Sequence, residues 1–407
     1  MNTWLTQIRQ FTEQAGFKGF LPATVTLGAG LSFVVPFISL WGTQEIGFSS
    51  FGIGIFTAMT SLSGVVAAIA LSRWSDTRVS RRTILMIGSG CGALGYGSYA
   101  FIRDPSVLII VSLPMVALSS ICFSQVFALA RDWFINGGPA AKEPAILLSI
   151  VRVCFSLAWV IGPIIGATIY THSGFEGLFS GAGILYLLFF TWVFLCVPNE
   201  VRLPGQTYVA GKISVWATIC RRDILGYVMV FSLVFSAFAL NMLNLPLAVI
   251  QRFGGTVHAV GFISGIGPFV EIPLMLWFGH LAARGQTSNL LRLGVCSSAL
   301  YFGFLCLATE VWHLYLAQIL NGLSHAILAN VTITFLQGIL PSQPGLASAI
   351  FSSSASVGNL VGYFSFGLLS HVLGPRGLFA VCLFATLVAC AALAILHPRS
   401  SSSKLDV

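Results

Sequence analysis

Two charged residues lie inside long apolar stretches of this 407-residue chain. Arg152 falls within an apolar run over residues 145–170, and Glu271 within another over residues 259–281. A lone charge in hydrocarbon costs about 2.5–3.5 kcal/mol or more, so a chain keeps one only where structure or function requires it. The two residues therefore indicate a route for a proton or a polar solute. A structural carboxyl that pairs with a neighbouring helix would also explain Glu271.

The composition places these residues in a membrane. Hydrophobic residues make up 56% of the chain and charged residues 8%, against about 25% charged residues in soluble domains. The mean hydropathy is +0.91. The nine cysteines form no C-x-x-C pair, so neither a metal site nor a disulfide framework is indicated. No G-x-x-x-x-G-K-[ST] loop occurs, which argues against ATP hydrolysis. We expect a polytopic membrane protein without a cofactor.

Twelve apolar runs are long enough to cross a bilayer. They fall at about residues 19–41, 51–71, 83–101, 106–129, 145–170, 175–197, 224–249, 259–281, 290–308, 313–336, 346–371 and 377–396. Six runs on either side of a polar connector are expected of two repeated membrane halves, and Gly54 then overlays Gly261. We predict an N-terminal bundle over residues 1–198, a cytoplasmic linker over 199–223, and a C-terminal bundle over 224–407 with a short disordered tail.

The distribution of positive charge predicts the orientation in the membrane. The tails and even-numbered loops carry sixteen of the lysines and arginines, and the opposite side carries only Arg103, Arg252 and Arg376. Because short cytoplasmic loops collect positive charge, both termini are expected in the cytoplasm. This placement also explains the net charge of +8 without a nucleic-acid partner. The expected partners are lipid, a small-molecule substrate and protons, and the protein is expected to be a monomer.

Polar side chains within the spans are candidate contacts for a solute. Amides supply paired hydrogen-bond donors and acceptors that suit sugars, and aromatic faces can stack on a sugar ring. Each such group can equally form a hydrogen bond between helices. Gln318, Asn321 and His325 recur at spacings of three and four, so one helix face can carry all three. The candidates are Gln125, Asn241, Asn244, Gln318, Asn321, His325, Asn330 and Asn359.

Two further patterns suggest conformational roles. The loop after the second run places Asp76 beside Arg78, Arg81 and Arg82, a set that can pair with neighbouring helix ends and latch one state. Arginines that only follow the positive-inside rule would give the same loop. In the fifth run, Gly162-Pro163 and Gly166 lower the bulk of the helix. We predict that they form a close-packed seam between the two halves.

These strings resemble the major facilitator superfamily. The resemblance rests on the Asp76 loop and on A-W-V-I-G-P-I-I-G-A from Ala158 to Ala167, which is similar to the antiporter motif of that family. A narrower resemblance to the sugar efflux transporter branch covers nearly the whole chain at a low level. It is carried by F-A-L-A-R-D at 127–132, Arg152 with S-L-A-W-V-I-G-P at 156–163, N-L-P-L at 244–247 and Glu271-Ile-Pro at 271–273.

The resemblance implies an all-α fold of twelve transmembrane helices in two six-helix bundles. It also implies proton-linked export of sugars or sugar-like compounds across the bacterial inner membrane by alternating access. The helices that carry Arg152 and Glu271 would flank one another, so we expect these side chains to come within a few ångströms in at least one state. An exporter of drugs or metabolites is the alternative within this class. A lipid-modifying membrane enzyme is the alternative outside it.

Overall fold

The computed structural model describes residues 17–77, 79–136, 144–197, 221–341 and 343–396. Every regular element within these ranges is a helix. The Asp76 side chain, Arg78 and most of the predicted connector and tail lie outside what the structure describes. The first half contains α1 (Phe17–Val34, continued by a 3-10 turn at Val35–Phe37 and by Ile38–Gln44), α2 (Ser50–Thr77), α3 (Arg81–Phe101), α4 (Pro105–Ser119 and Ile121–Asn136), and α5 (144–173) and α6 (175–196), the two parts of Pro144–Cys196.

The second half has the same number of spans as the first. It contains α7 (Arg222–Gln251), α8 (Val257–Ala283), α9 (Thr287–Leu307), α10 (Val311–Leu328 and Val331–Ile339), and α11 (344–373) and α12 (375–395), the two parts of Pro344–Ile395. In the described ranges, nine stretches are long and apolar enough to cross a membrane. Two of them hold two spans each, and α3 at 21 residues completes the twelve. The predicted all-α fold of two six-helix bundles is confirmed.

Side-chain caps fix where several spans begin. Ser80 accepts a hydrogen bond from the backbone N–H of Thr83 at the start of α3, and Asp104 accepts from two backbone N–H groups at the start of α4. Thr256 caps α8 in the same way. Caps satisfy backbone donors that have no partner within the helix, and each contributes about 1 kcal/mol. They hold the short turns that connect neighbouring spans.

Two sharp bends add a second correspondence between the halves, which the sequence pattern alone did not indicate. Gly174 separates α5 from α6 at φ 60°, and Gly374 separates α11 from α12 at φ 62°. Glycine occupies both bends because it alone adopts positive φ without a steric cost. The two sequences, G-F-E-G-L-F at 174–179 and G-P-R-G-L-F at 374–379, share their glycines and the buried Leu-Phe pair that follows. The bends support a repeat of one helical unit in the two halves.

Glycines carry the closest contacts between the halves. A Cβ atom on Gly54 in α2 would lie 2.6 Å from the Cα atom of Gly367 in α11. A Cβ atom on Gly261 in α8 would lie 2.6 Å from the carbonyl oxygen of Pro163 in α5. Gly54 and Gly261, which the predicted repeat overlays, therefore make equivalent contacts. Both contacts lie toward the helix ends opposite Phe17 and Leu396, the described residues nearest the chain termini, so the halves are closed together on that side.

The predicted seam needs correction at two positions. Gly162 faces the side chain of Ser32 in α1, and Gly166 faces Phe37 in α1 and Leu178 in α6. Both glycines therefore pack within the first half, and of the three predicted residues only Pro163 reaches the second half. At this seam Gly261 and Gly265 of α8 meet the backbone of Val160 and Pro163 and the side chain of Ala167. Small residues permit close approach wherever they lie, so sequence alone does not tell which neighbour approaches.

A methyl group at Gly54 tests the crossing of α2 and α11. We expect Gly54→Ala to destabilise the fold by about 1–3 kcal/mol, because the new Cβ meets backbone atoms that cannot rotate away. Gly279→Ala is the matched control, since nothing lies within 4 Å of a Cβ at that α8 position. The control should leave stability unchanged or slightly raised. Thermal unfolding in detergent measures both, and equal midpoints for the two variants would contradict the packing described.

Candidate functional site

A cavity of about 500 Å³ lies between the two halves at the middle of the spans. Helices α1, α4 and α5 line it from the first half, and α7 to α11 line it from the second. The volume falls in the range that accommodates a small organic molecule. Eight of the predicted residues line this cavity: Arg152, Asn241, Glu271, Gln318, Asn321, His325, Asn330 and Asn359.

Arg152 joins the two halves across the cavity. Its Nη1 atom donates a hydrogen bond to Oδ1 of Asn330 in α10 at 3.2 Å. Asn330 lies at the break between the two segments of α10, and its Nδ2 donates to the carbonyl oxygen of Ala326 at 3.0 Å. This second bond orients the amide so that its oxygen faces the guanidinium. Arg152 thus finds a partner at a helix break, where the backbone itself is irregular.

Glu271 faces the same cavity from α8. It is half-buried and makes no hydrogen bond or ion pair with the residues that the structure describes. Its charge interacts with that of Arg152, although no nitrogen of Arg152 lies within 4.0 Å of a Glu271 oxygen. Among acids in the described ranges, Glu271 alone lies in the middle of a span. Direct pairing with Arg152 remains a prediction for another state of the protein.

Four side chains of the second half form one hydrogen-bonded network. The Tyr301 hydroxyl accepts from Nδ2 of Asn241 at 3.1 Å and from Nε2 of Gln318 at 3.4 Å. Gln318 Oε1 in turn accepts from Nδ2 of Asn321 at 2.7 Å. The Oδ1 atoms of Asn241 and Asn321 are buried without a partner. A buried acceptor without a partner costs about 1–3 kcal/mol, so a shift of these side chains that lets solute hydroxyl groups donate to the oxygens would be favoured.

The remaining predicted residues on the cavity wall are less constrained. The His325 ring packs against Phe238, with the ring centroids 4.3 Å apart. Asn359 makes no hydrogen bond with the described residues and leaves its amide free toward the cavity. In the ranges that the structure describes, no three His, Cys, Asp or Glu side chains cluster as metal ligands would.

Two predicted candidates do not line the cavity. Gln125 is buried in α4, where its Oε1 accepts a hydrogen bond from Nη1 of Arg81 at 3.0 Å. Asn244 is buried in α7, and its Nδ2 donates to the carbonyl oxygen of Pro375 at 3.0 Å. Each of these amides forms its hydrogen bond with a residue of its own half. The alternative of a hydrogen bond between helices therefore holds for these two residues.

The first half supplies an aromatic wall that the sequence analysis did not predict. Phe123, Phe127 and Phe155 pack with ring centroids 5.0–6.2 Å apart. Trp159 lies one turn beyond Phe155 on the cavity wall, and its indole Nε1 is buried without a partner. The spacing of four between Phe123 and Phe127, and between Phe155 and Trp159, is a signal for one aromatic helix face. The cavity thus takes all its amides from the second half, while aromatic side chains line it from both halves.

The predicted latch loop contacts helix ends of its own half. Arg82 donates to the carbonyl oxygen of Phe194 near the end of α6, and its guanidinium lies 5.5 Å from the centroid of the Phe194 ring. A cation is favoured at the carboxyl end of a helix, where carbonyl groups lack intrahelical partners. Arg81 contacts Gln125, as described above. The role of Asp76 and Arg78 in the latch stays a prediction.

Comparison with known proteins agrees with this architecture. The sequence profile of the Major Facilitator Superfamily matches residues 20–304 and 229–406. Sugar efflux transporter A of Dickeya chrysanthemi is 26% identical over 366 residues, covering 90% of this chain and 92% of that protein. The protein of the same name from Escherichia coli is 24% identical, covering 92% and 94%. The crystal structure of the nucleoside transporter NupG has a TM-score of 0.76 at 14% identity, covering 93% and 98%, which shows a shared fold.

The site description can be tested at two amides, Asn244, which is hydrogen-bonded away from the cavity, and Asn359, which lines the cavity. Asn244→Ala removes the hydrogen bond to the Pro375 carbonyl and leaves that acceptor unsatisfied, so we expect a loss of about 1–3 kcal/mol of stability. Asn359→Ala removes an amide that has no partner among the described residues, and stability should change by less than about 0.5 kcal/mol. Thermal unfolding of the purified variants measures the difference. The reverse order of stabilities would refute the assignment of the two amides.

Proposed function

Because this chain belongs to the major facilitator superfamily and is a membrane transporter rather than an enzyme, we propose that it exports sugars or sugar-like molecules in exchange for protons. The membrane would be the inner membrane of a bacterium, with both termini in the cytoplasm. The observation that carries the proposal is the cavity, in which amide side chains of the second half lie opposite aromatic side chains of the first half. Sugars present hydroxyl groups on their edges and apolar C–H groups on their faces, and this pair of walls suits both.

The relatives support the same substrate class. Two curated relatives that align over most of this chain are named sugar efflux transporters. Solute hydroxyls would donate to the Oδ1 atoms of Asn241 and Asn321, and the Trp159 ring would stack on the apolar face of the sugar. Arg152, held by Asn330, would contact the solute from the first half. His325 and Asn359 would complete the polar wall.

Alternating access would proceed by rocking of the two halves around this cavity. The crossings at Gly54 and Gly261 close the side away from the chain termini, so the solute would enter this state from the cytoplasm. The Asp76 loop would latch the opposite state through Arg81 and Arg82. No cofactor is needed in this scheme, since the proton gradient supplies the free energy.

Glu271 would carry the coupling proton. It is a mid-span acid of the described ranges, it faces the cavity, and it has no hydrogen-bond partner there that would fix its charge state. Arg152 across the cavity would favour the charged form of Glu271 when the two approach, and solute hydroxyls that donate to the carboxylate would favour it further. Solute binding would thereby promote release of the proton, as exchange of solute for a proton requires.

A transport assay tests the function and the coupling residue together. Proteoliposomes with an acidic lumen should accumulate labelled sugar when the protein is present, and the sugar should leave when the pH gradient is collapsed. Glu271→Gln should abolish accumulation but retain exchange of labelled for unlabelled sugar, because exchange needs no net proton movement. Glu176→Gln is the control, since Glu176 is exposed beside the Gly174 bend.

Two outcomes would overturn this scheme. Gradient-driven accumulation by Glu271→Gln at the parent rate would exclude Glu271 as the proton carrier. Accumulation of lipophilic cations without any sugar would favour the alternative, a multidrug or metabolite exporter. The observation that supports this alternative is the apolar surface that Phe123, Phe127 and Phe155 present to the cavity.

Removal of the Trp159 ring tests the stacking contact. We expect Trp159→Leu to raise KM for the sugar about tenfold, because aromatic contacts contribute roughly 0.5–1.5 kcal/mol beyond the area that they bury. Trp277→Leu on the outer face of α8 is the matched control, since that side chain is 59% exposed and lies off the cavity. Equal KM values for both variants in the proteoliposome assay would exclude Trp159 as a sugar contact.

A further inference from the structure

Three arginines lie on the side of the protein away from the chain termini, and they have different surroundings. Arg103 forms an ion pair with Glu45, with Nε 2.9 Å from Oε1. Arg252 and Arg376 have no acid within 4.0 Å among the residues that the structure describes. These two residues are remote in sequence, yet their charges interact with each other and with the Cys306 thiol. The fold therefore brings two cations together with no acid beside them in the described part of the chain.

The packing of the second half holds this pair in place. Arg252 ends α7, and its Nη2 donates to the carbonyl oxygen of Ala308 at 3.1 Å. Its guanidinium also lies 4.8 Å from the centroid of the Phe253 ring. Arg376 lies in the first turn of α12, which the hydrogen bond from Asn244 to the Pro375 carbonyl ties to α7. The nearby Glu310 caps α10 and accepts from the indole Nε1 of Trp312, so that acid already has partners.

One donor of this pair lacks a partner. The Nη1 atom of Arg252 is buried and makes no hydrogen bond. Arg376 is exposed and makes no hydrogen bond or ion pair with the described residues. A buried unpaired charged donor is costly, and a second cation beside it raises the cost. A phosphate group beside the two guanidinium groups would offset the charge of both, because guanidinium groups bind phosphate oxygens with paired hydrogen bonds.

The surroundings of the pair favour a lipid as the source of that phosphate. Leu307, next to the Arg252 acceptor Ala308, is 77% exposed, and Val372, near Arg376, is 68% exposed. Apolar side chains exposed at the ends of membrane spans face acyl chains, and the arginines lie where those spans leave the hydrocarbon. We propose that Arg252 and Arg376 bind the phosphate of an anionic phospholipid in the leaflet away from the chain termini.

Lipid binding by the purified full-length protein tests this site. Native mass spectrometry in a neutral detergent should show retained phosphatidylglycerol and much weaker retention of phosphatidylcholine. Arg376→Gln should weaken phosphatidylglycerol binding about tenfold, since it removes one guanidinium without breaking a hydrogen bond of the fold. Arg252→Gln should have a similar effect. Arg103→Gln is the matched control on the same side and should bind as the parent does, because Arg103 is already neutralised by Glu45.

The same experiment separates the sources of phosphate. Addition of inorganic phosphate alone should not raise the unfolding temperature, whereas phosphatidylglycerol should raise it in the parent and less in Arg376→Gln. An equal rise with inorganic phosphate would show that the site takes free phosphate and would overturn the lipid assignment. Unchanged phosphatidylglycerol binding in both Arg376→Gln and Arg252→Gln would overturn the site itself.

Discussion

The charge of Arg152 inside an apolar span is the constraint on which the central region depends. A guanidinium in hydrocarbon is unfavourable unless it is hydrogen-bonded and its charge is offset. Asn330 supplies the hydrogen bond, and the charge of Glu271 acts on it across the cavity. Both partners come from the second half of the molecule. The halves are therefore joined by a polar contact between Arg152 and Asn330. This contact lies at the cavity, where water or a solute has room to bind beside it.

The repeated scaffold and the cavity wall follow different rules. The bends at Gly174 and Gly374 recur because each connects two spans through a residue with positive φ. The crossings at Gly54 and Gly261 recur because each brings two helix backbones into close contact. The side chains that face the cavity do not recur, since all its amides come from the second half, whereas Arg152 and Trp159 come from the first and phenylalanines come from both.

The sequence predicts the positions of the spans well, but it does not predict which neighbours the individual polar side chains contact. Apolar runs of the required length are unambiguous in a chain with so few charges, so all twelve helices are found where the runs predict them. Asn241 and Asn244 show the limit, since they lie one turn apart and only about 60° apart around α7. Asn241 reaches the cavity network, but Asn244 meets the bent backbone at Pro375. The bend at Gly374, which periodicity does not predict, places the Pro375 carbonyl within reach of Asn244.

The glycine crossings have a further consequence for the proposed rocking motion. At Gly54 and Gly261 the two halves meet through backbone atoms and small side chains, and these contacts depend on dispersion rather than on directional hydrogen bonds. Arg152 lies roughly 12–16 Å along α5 from its crossing with α8, toward the chain termini. Separation of the crossings would therefore expose no unpaired hydrogen-bonding side chain at Gly54 or Gly261. The directional contact between the halves at Arg152 and Asn330 lies beside the proposed solute site, so a solute that replaces Asn330 at the guanidinium would act directly on how the halves are held together.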